Sequence, residues 1–197
     1  MSQSLLQPLK TRVTFVITAL IALSMTLSGC IENDEQATTA ELLTPSSLEK
    51  RDFKQPTQPV ILEITGKITQ FNDQQTLRLD REQLLSFKQF DVKTTTPWTD
   101  KLTHFKGPLL RDVLAATGSS GRYVFAKAVN EYAVKIPISD AEKFSVILAI
   151  EQDGKPLSIR NKGPIWLIYP WSGSEKLKQD KFYARSIWHL VSMRIHD

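Results

Sequence analysis

Residues 153–170 read DGKPLSIRNKGPIWLIYP, two turn signals followed by an apolar run. Asp153-Gly154 is a tight-turn pair, because glycine takes the positive φ that side chains resist. Pro156 restricts the exit from that turn. Asn161-Lys162-Gly163-Pro164 is a second turn. Ile165, Trp166, Leu167, Ile168 and Tyr169 then follow without a polar break and stop at Pro170. Such a run between turns predicts a strand buried on both faces. Arg160 and Lys162 flank Asn161, with Gly163 next. A glycine turn exposes backbone N–H groups, and two cations beside it favour an anion. A solvated basic hairpin tip is the competing reading, since loop tips carry charge routinely.

Working outward, residues 146–150 form a continuous apolar strand leading into this segment, and residues 186–195 (SIWHLVSMRI) form the final strand. Between them, 175–183 is polar and reads as helix or loop. Upstream, 60–64 is a strand turned at Gly66, with 67–71 its continuation or partner. Leu77 and Leu79 alternate with Arg78 and Asp80, and Asp80 with Gln83 spells a capping box for a short helix. Residues 90–93 predict another strand running into Thr94-Thr95-Thr96-Pro97-Trp98, which reads equally as an edge strand or a ligand-facing loop. Gly107-Pro108 predicts the start of a helix, with proline in the first helical position and Gly118 closing it. Arg111 and Asp112 are expected to face solvent or a neighbouring loop. Residues 122–128 and 132–138 are strands joined through Asn130-Glu131, and Ser139 to Glu142 offers a second capping box. Strands dominate, short helices are inserted irregularly, and no βαβ rhythm or repeat occurs. The class is α+β with mixed β-sheets.

The first thirty residues read as an address. Lys10 and Arg12 precede an uncharged apolar stretch, 13–27, and Leu27-Ser28-Gly29-Cys30 is similar to a bacterial lipobox. This gives a signal peptide over 1–29, a lipidated Cys30 with a flexible tether over 30–58, and a domain over 59–197. A transmembrane anchor is the alternative, since residues 13–31 carry no charge. A weak helix near residues 40–43 interrupts the tether. Ile31 follows Cys30 in place of the aspartate of inner-membrane retention, which favours the outer membrane. The localisation expected is the periplasm, with membrane attachment through the lipid on Cys30.

Cys30 is the single cysteine of the chain, so the mature domain holds no disulfide, catalytic thiol or thiolate ligand. His104, His189 and His196 lack metal-ligand spacing. No Walker loop or GxGxxG follows a strand, and Ser172-Gly173-Ser174 lacks the frame of a nucleophile elbow. Asp73, Asp80 and Asp140 read as turn or cap residues. Hydrophobic residues make up 41%, enough for a core. Of the net charge of +4, Lys10 and Arg12 supply two units that leave with the leader. The remainder is too mild to suggest nucleic acid. No catalytic residue and no metal ligand is assigned.

Several stretches together resemble the oxidoreductase molybdopterin-binding domain, the fold of the sulfite oxidase family. Gly154-Lys155-Pro156-Leu157 and the run from Lys162 to Pro170 resemble its G-x-P-L, H-G-x-P and R-L-I-V-P succession. The segment from Phe105 to Leu114 resembles its W-x-G-V-x-L-x-D-L-L helix, and Ala184-Arg185-Ser186-Ile187-Trp188 its closing K-x-x-K-W segment. The likeness spans Pro59 to the C-terminus and looks like a compact, single-domain bacterial branch. It implies a cofactor cleft lined by Thr94, Trp98, Asn130, Tyr132, Arg160, Lys162, Gly163 and Arg185. In the family an anionic pterin lies in such a cleft, and a cysteine four residues before a tryptophan ligates molybdenum. Counting back from Trp98 gives Thr94, a hard, protonated hydroxyl where the family has a thiolate. Asn161-Lys162-Gly163-Pro164 replaces the family's H-G-x-P. Lys162 would meet a phosphate as a point charge, and Arg160 and Arg185 through a fork.

Exported relatives that carry the cofactor use twin-arginine signals, and MSQSLLQPLKTRVTF has no arginine pair. Three functions follow. The first is an envelope lipoprotein without molybdenum chemistry that binds a small anionic ligand or a periplasmic partner protein. The alternative is a molybdopterin-dependent oxidoreductase with an atypical metal site. The third is a structural envelope protein. Whether the chain is an enzyme stays open at this point.

Overall fold

The computed structural model describes residues 51–197. The expected leader, Cys30, the membrane-span alternative and the weak helix near residues 40–43 lie outside them. Among the described residues no helix is long and apolar enough to cross a membrane. Among the described residues eleven strands, β1 to β11, fall into three sheets.

The largest sheet runs β2-β1-β11-β5-β6. Its strands are β1 (Val60–Gly66), β2 (Leu77–Asp80), β5 (Tyr123–Ala128), β6 (Ala133–Pro137) and β11 (Leu190–His196). β1 pairs parallel with β11, and the other pairs are antiparallel, so the sheet is mixed as expected. Leu62 and Ile64 alternate inward on β1, and Leu77 and Leu79 do so on β2, all fully buried. The second sheet runs β3-β4-β8-β9, with β3 (Gln89–Thr96), β4 (Thr99–Pro108), β8 (Glu151–Gln152) and β9 (Lys155–Pro156). The third pairs β7 (Ile147–Ala149) with β10 (Trp166–Ile168), and all six residues are fully buried. The unbroken apolar run thus becomes a two-face-buried strand because it lies inside the core.

Asp153 and Gly154 join β8 to β9 with φ of 48° and 74°. Both central residues at positive φ is what a two-residue hairpin demands. At the second turn a short 3₁₀ segment, Ile159–Asn161, precedes Lys162. The left-handed residue is Lys162 (φ 65°), not the glycine. Gly163 is required for another reason: a Cβ there would lie 2.6 Å from the Leu157 carbonyl carbon and oxygen.

Four α-helices are described: α1 (Arg81–Leu85), α2 (Leu110–Ala116), α3 (Ile138–Lys143) and α4 (Asp180–Arg185). Helix α1 carries the predicted capping box, with Asp80 and Gln83 satisfying each other's backbone N–H groups. Helix α2 begins later than expected. Pro108 is the last residue of β4, paired with Gln89, and Leu109 is the N-cap. Its end matches expectation: Gly118 N–H donates to Ala115 O and Ser119 N–H to Leu114 O, a Schellman closure with Gly118 at φ 64°. Of the two alternatives for Arg111 and Asp112, open solvent is excluded, since both side chains are mostly covered. The second predicted capping box does not form. Pro137 is the N-cap of α3, and Asp140 uses its carboxylate elsewhere.

Two connectors also differ. Residues 67–71 are not a strand: Thr69 and Gln70 donate their N–H groups to Thr117 O, which ties the connector to the end of α2. The last part of the predicted tether packs on the domain. Arg51 donates to Ser86 Oγ at 3.0 Å, Phe53 meets the Phe87 ring at 6.4 Å, and Thr57 and Gln58 donate N–H groups to Asp80. The packed region therefore begins by Arg51.

Candidate functional site

The hairpin between β3 and β4 turns through Pro97-Trp98. Thr96 Oγ1 accepts the Trp98 N–H at 3.1 Å and lies 3.0 Å from Thr99 Oγ1, which fixes the tip. The tip delivers Trp98 into an aromatic cluster. Its ring stands edge-on to Trp166, Trp171, Tyr183 and Trp188 at centroid distances of 5.0 to 6.4 Å. The turn between β5 and β6 carries Asn130 and Tyr132. Glu131 takes φ 65° there, and Ala128 N–H donates to Tyr132 O at 2.9 Å. Tyr132 Oη donates to Ala184 O at 3.2 Å, fastening this turn to α4.

These elements enclose a pocket of about 370 Å³ with Trp98, Asn130, Tyr132, Tyr183, Ser186 and Trp188 in its walls. Three of the expected cleft residues, Trp98, Asn130 and Tyr132, are thus brought together. Tyr183 and Trp188 were not foreseen as lining. Trp188 stands in the closing segment that the resemblance singled out, so a signal for it existed. Tyr183 sits in a polar stretch that gave none.

Arg160 and Lys162 go elsewhere. They line a separate cleft of about 500 Å³ with Lys101, Lys155, Asp153 and Asn161. None of its four cations forms an ion pair among the described residues, whereas Asp153 accepts the His104 N–H at 3.1 Å. Lys162 Nζ lies 5.2 Å from the Trp166 ring centroid, so this cleft touches the back of the aromatic cluster. Gly163 is buried behind Lys162 and lines neither space.

Arg185 is committed inside the fold. Its Nη1 donates to Asp140 Oδ2 at 2.8 Å, and the Tyr169 hydroxyl donates to the same oxygen at 2.9 Å. Asp140 is 6% exposed, so the Arg185 charge and the Tyr169 hydrogen bond together compensate a buried carboxylate. Burial pushes the Tyr169 phenol far up, and the neighbouring Asp140 charge adds to the effect. The expected phosphate contact by Arg185 is therefore replaced by a structural one linking α3, α4 and the exit of β10.

Thr94 is fully buried. Its Oγ1 accepts the Ser172 N–H at 3.0 Å and donates to Thr95 O at 3.0 Å, while Thr95 N–H donates to Ser172 Oγ at 2.9 Å. The single hydroxyl hydrogen of Thr94 is committed within this knot, and Thr94 lines neither cavity. Among the described residues no group of three or more His, Cys, Asp or Glu converges.

The model of the oxidoreductase molybdopterin-binding domain matches residues 62–179, and the chain belongs to that family. Its fold is similar to the sulfane dehydrogenase SoxCD of Paracoccus pantotrophus, with a TM-score of 0.53 and 17% identity. The match covers 69% of this chain and 38% of that one, so the chain spans well under half of that relative's length. No functionally curated protein matches it. The family's cofactor holds molybdenum, a metal that favours a soft thiolate. At the position where the resemblance puts that ligand stands Thr94, whose hydroxyl bonds to Ser172 and Thr95.

Proposed function

We propose that this chain is an envelope-anchored binding protein, built on the molybdopterin-domain fold, that takes a small anion in the basic cleft. The observation that carries the reading is the convergence of Lys101, Lys155, Arg160 and Lys162 on one cleft without ion-pair partners among the described residues. The four cations outnumber the one carboxylate of the lining, Asp153, and an anion relieves their mutual repulsion while gaining charge-assisted hydrogen bonds. Arg160 supplies the planar fork, and the lysines supply point charges. The buried Thr94 hydroxyl, bonded to Ser172 and Thr95, supports a role without molybdenum. A lipid on Cys30 holds the domain to the outer membrane on its periplasmic side, at about 0.8 kcal/mol of membrane affinity per buried CH₂.

The test has two arms. Protein purified from its own envelope is analysed for molybdenum and pterin, and stoichiometric molybdenum overturns the reading in favour of an oxidoreductase with an atypical site. The same protein is titrated with inorganic phosphate, with tryptophan fluorescence as readout, since Lys162 sits over Trp166. A saturable change that vanishes in Arg160→Ala plus Lys162→Ala is expected; an unchanged response in that double variant removes the cleft from the account. Cys30→Ser is expected to release the protein from membranes, and retention would favour a membrane span.

A further inference from the structure

The aromatic pocket lies apart from the cations of the basic cleft, and its chemistry is different. Four rings line its volume of about 370 Å³: Trp98, Tyr132, Tyr183 and Trp188. No Asp, Glu, Lys or Arg is among the lining residues. An anion entering it would leave water without a counter-charge. Two of its hydroxyls are already spent on backbone carbonyls, Tyr132 on Ala184 and Ser186 on Leu167 at 2.6 Å.

The arrangement of the rings narrows the choice further. Trp98 meets Trp188 at 76° and Tyr183 at 88°. Neither contact between lining rings is parallel, so these walls form corners rather than the slot that a flat ring would enter. A corner of this kind suits a compact cation, which any ring face bordering it attracts through its quadrupole. The same cluster already holds one cation in this manner, Lys162 over Trp166, and Trp166 packs edge-on against Trp98 and Trp188 at 60° and 87°.

We propose that this pocket is a cage for a methylated ammonium group and takes compact quaternary ammonium compounds head-first. Methyl groups fill the apolar space, and the ring faces offset the desolvation of a charge that is spread over them. The cage shares no residue with the basic cleft, so it stands independently of the anion reading.

Calorimetric titration of the full-length protein with choline chloride tests this, against sodium chloride as a salt control. The discriminating probes are dimethylbutanol, in which carbon replaces the choline nitrogen, and indole, a flat ring. Choline is expected to bind saturably and roughly ten-fold tighter than its neutral isostere. Trp188→Ala is expected to weaken it by roughly ten-fold or more. Because Trp188 also packs on the core, Tyr132 provides a second probe: the residue is 48% exposed and stands outside the buried core. Tyr132→Ala is expected to weaken choline binding while Tyr132→Phe retains it. Equal or tighter binding of dimethylbutanol, tighter binding of indole, or no saturable choline binding would each overturn the proposal. Choline binding that survives both alanine substitutions would do so as well. Binding unchanged in Arg160→Ala plus Lys162→Ala is the expected result; its loss there would move the ligand to the other cleft and overturn the cage. A negative result leaves the phosphate titration of the basic cleft unaffected.

Discussion

The Thr94 hydroxyl accepts the Ser172 backbone N–H at 3.0 Å, a contact between residues 78 apart in the chain. It joins β3 to the 3₁₀ segment Trp171–Gly173 that follows the buried strand β10. Thr94→Val keeps the shape and removes the acceptor, leaving a partly buried N–H without its partner. The expected cost is about 1–3 kcal/mol in urea denaturation, with Thr94→Ser closer to wild type. Equal stability of the valine variant would show that the hydroxyl is dispensable.

Asp80 gathers three backbone N–H groups, from Gln83 at 2.9 Å, Thr57 at 3.0 Å and Gln58 at 3.1 Å. Burial pushes its carboxyl up, but these donors outweigh burial and hold it below the usual carboxylate range. Asp80→Ala is expected to cost about 2 kcal/mol, the upper end for a helix cap. The folded pKa lies below the unfolded one, near 3.9, so the contribution is complete above that pH and is lost as pH falls through the folded pKa. Acid titration of stability is expected to be flatter in Asp80→Asn than in wild type.

Tyr169 is held neutral by burial and by the charge of Asp140. Tyr169→Phe is expected to cost about 1 kcal/mol at neutral pH. Above a pH of about 10 the unfolded chain ionises this phenol while the folded one does not, so stability falls as pH rises further. Thermal melts across that range are expected to fall more steeply for wild type than for the Phe variant.

Arg185→Met leaves the Asp140 carboxylate buried with one donor in place of two. The expected destabilisation is about 3 kcal/mol or more, as for other broken buried pairs. The phosphate response of the basic cleft is expected to stay, because Arg185 does not line it. Loss of that response in a variant verified to be folded would return Arg185 to the binding site.

Gly163→Ala places a Cβ 2.6 Å from the Leu157 backbone. Rigid main chain on the other side cannot yield cheaply, and the expected cost is about 1–3 kcal/mol. The turn that presents Lys162 moves with it, so the phosphate affinity is expected to fall too. Unaltered affinity and stability together would show that the loop absorbs the methyl group.

Local chemistry made part of this fold legible. The Asp153-Gly154 turn, the Asp80–Gln83 capping box and the apolar run before Pro170 each follow from neighbours in sequence. The helix start at Pro108 was misplaced because its registration opposite Gln89, a tertiary fact, outweighed the preference of proline for a first helical turn. The candidate site was legible in its membership more than in its grouping. Trp98, Asn130 and Tyr132 meet as expected, but Arg160 and Lys162 face another space and Arg185 is spent on Asp140. No spacing rule reports that an arginine will meet an aspartate 45 residues earlier. The end of the tether was misjudged for the same reason, since polar residues such as Arg51 and Thr57 gain their partners through tertiary contacts with α1.

The position of β11 sets an order on events in time. It stands between β1 and β5, pairing with one in parallel and with the other antiparallel. Until it arrives, the strands on its two flanks present open edges that invite pairing with foreign chains. Growth of the polypeptide from its N-terminus cannot build this sheet step by step, because β11 comes late in the chain. Such a domain closes in one late event, and a cell that makes it must keep those two edges apart from other strands in the meantime.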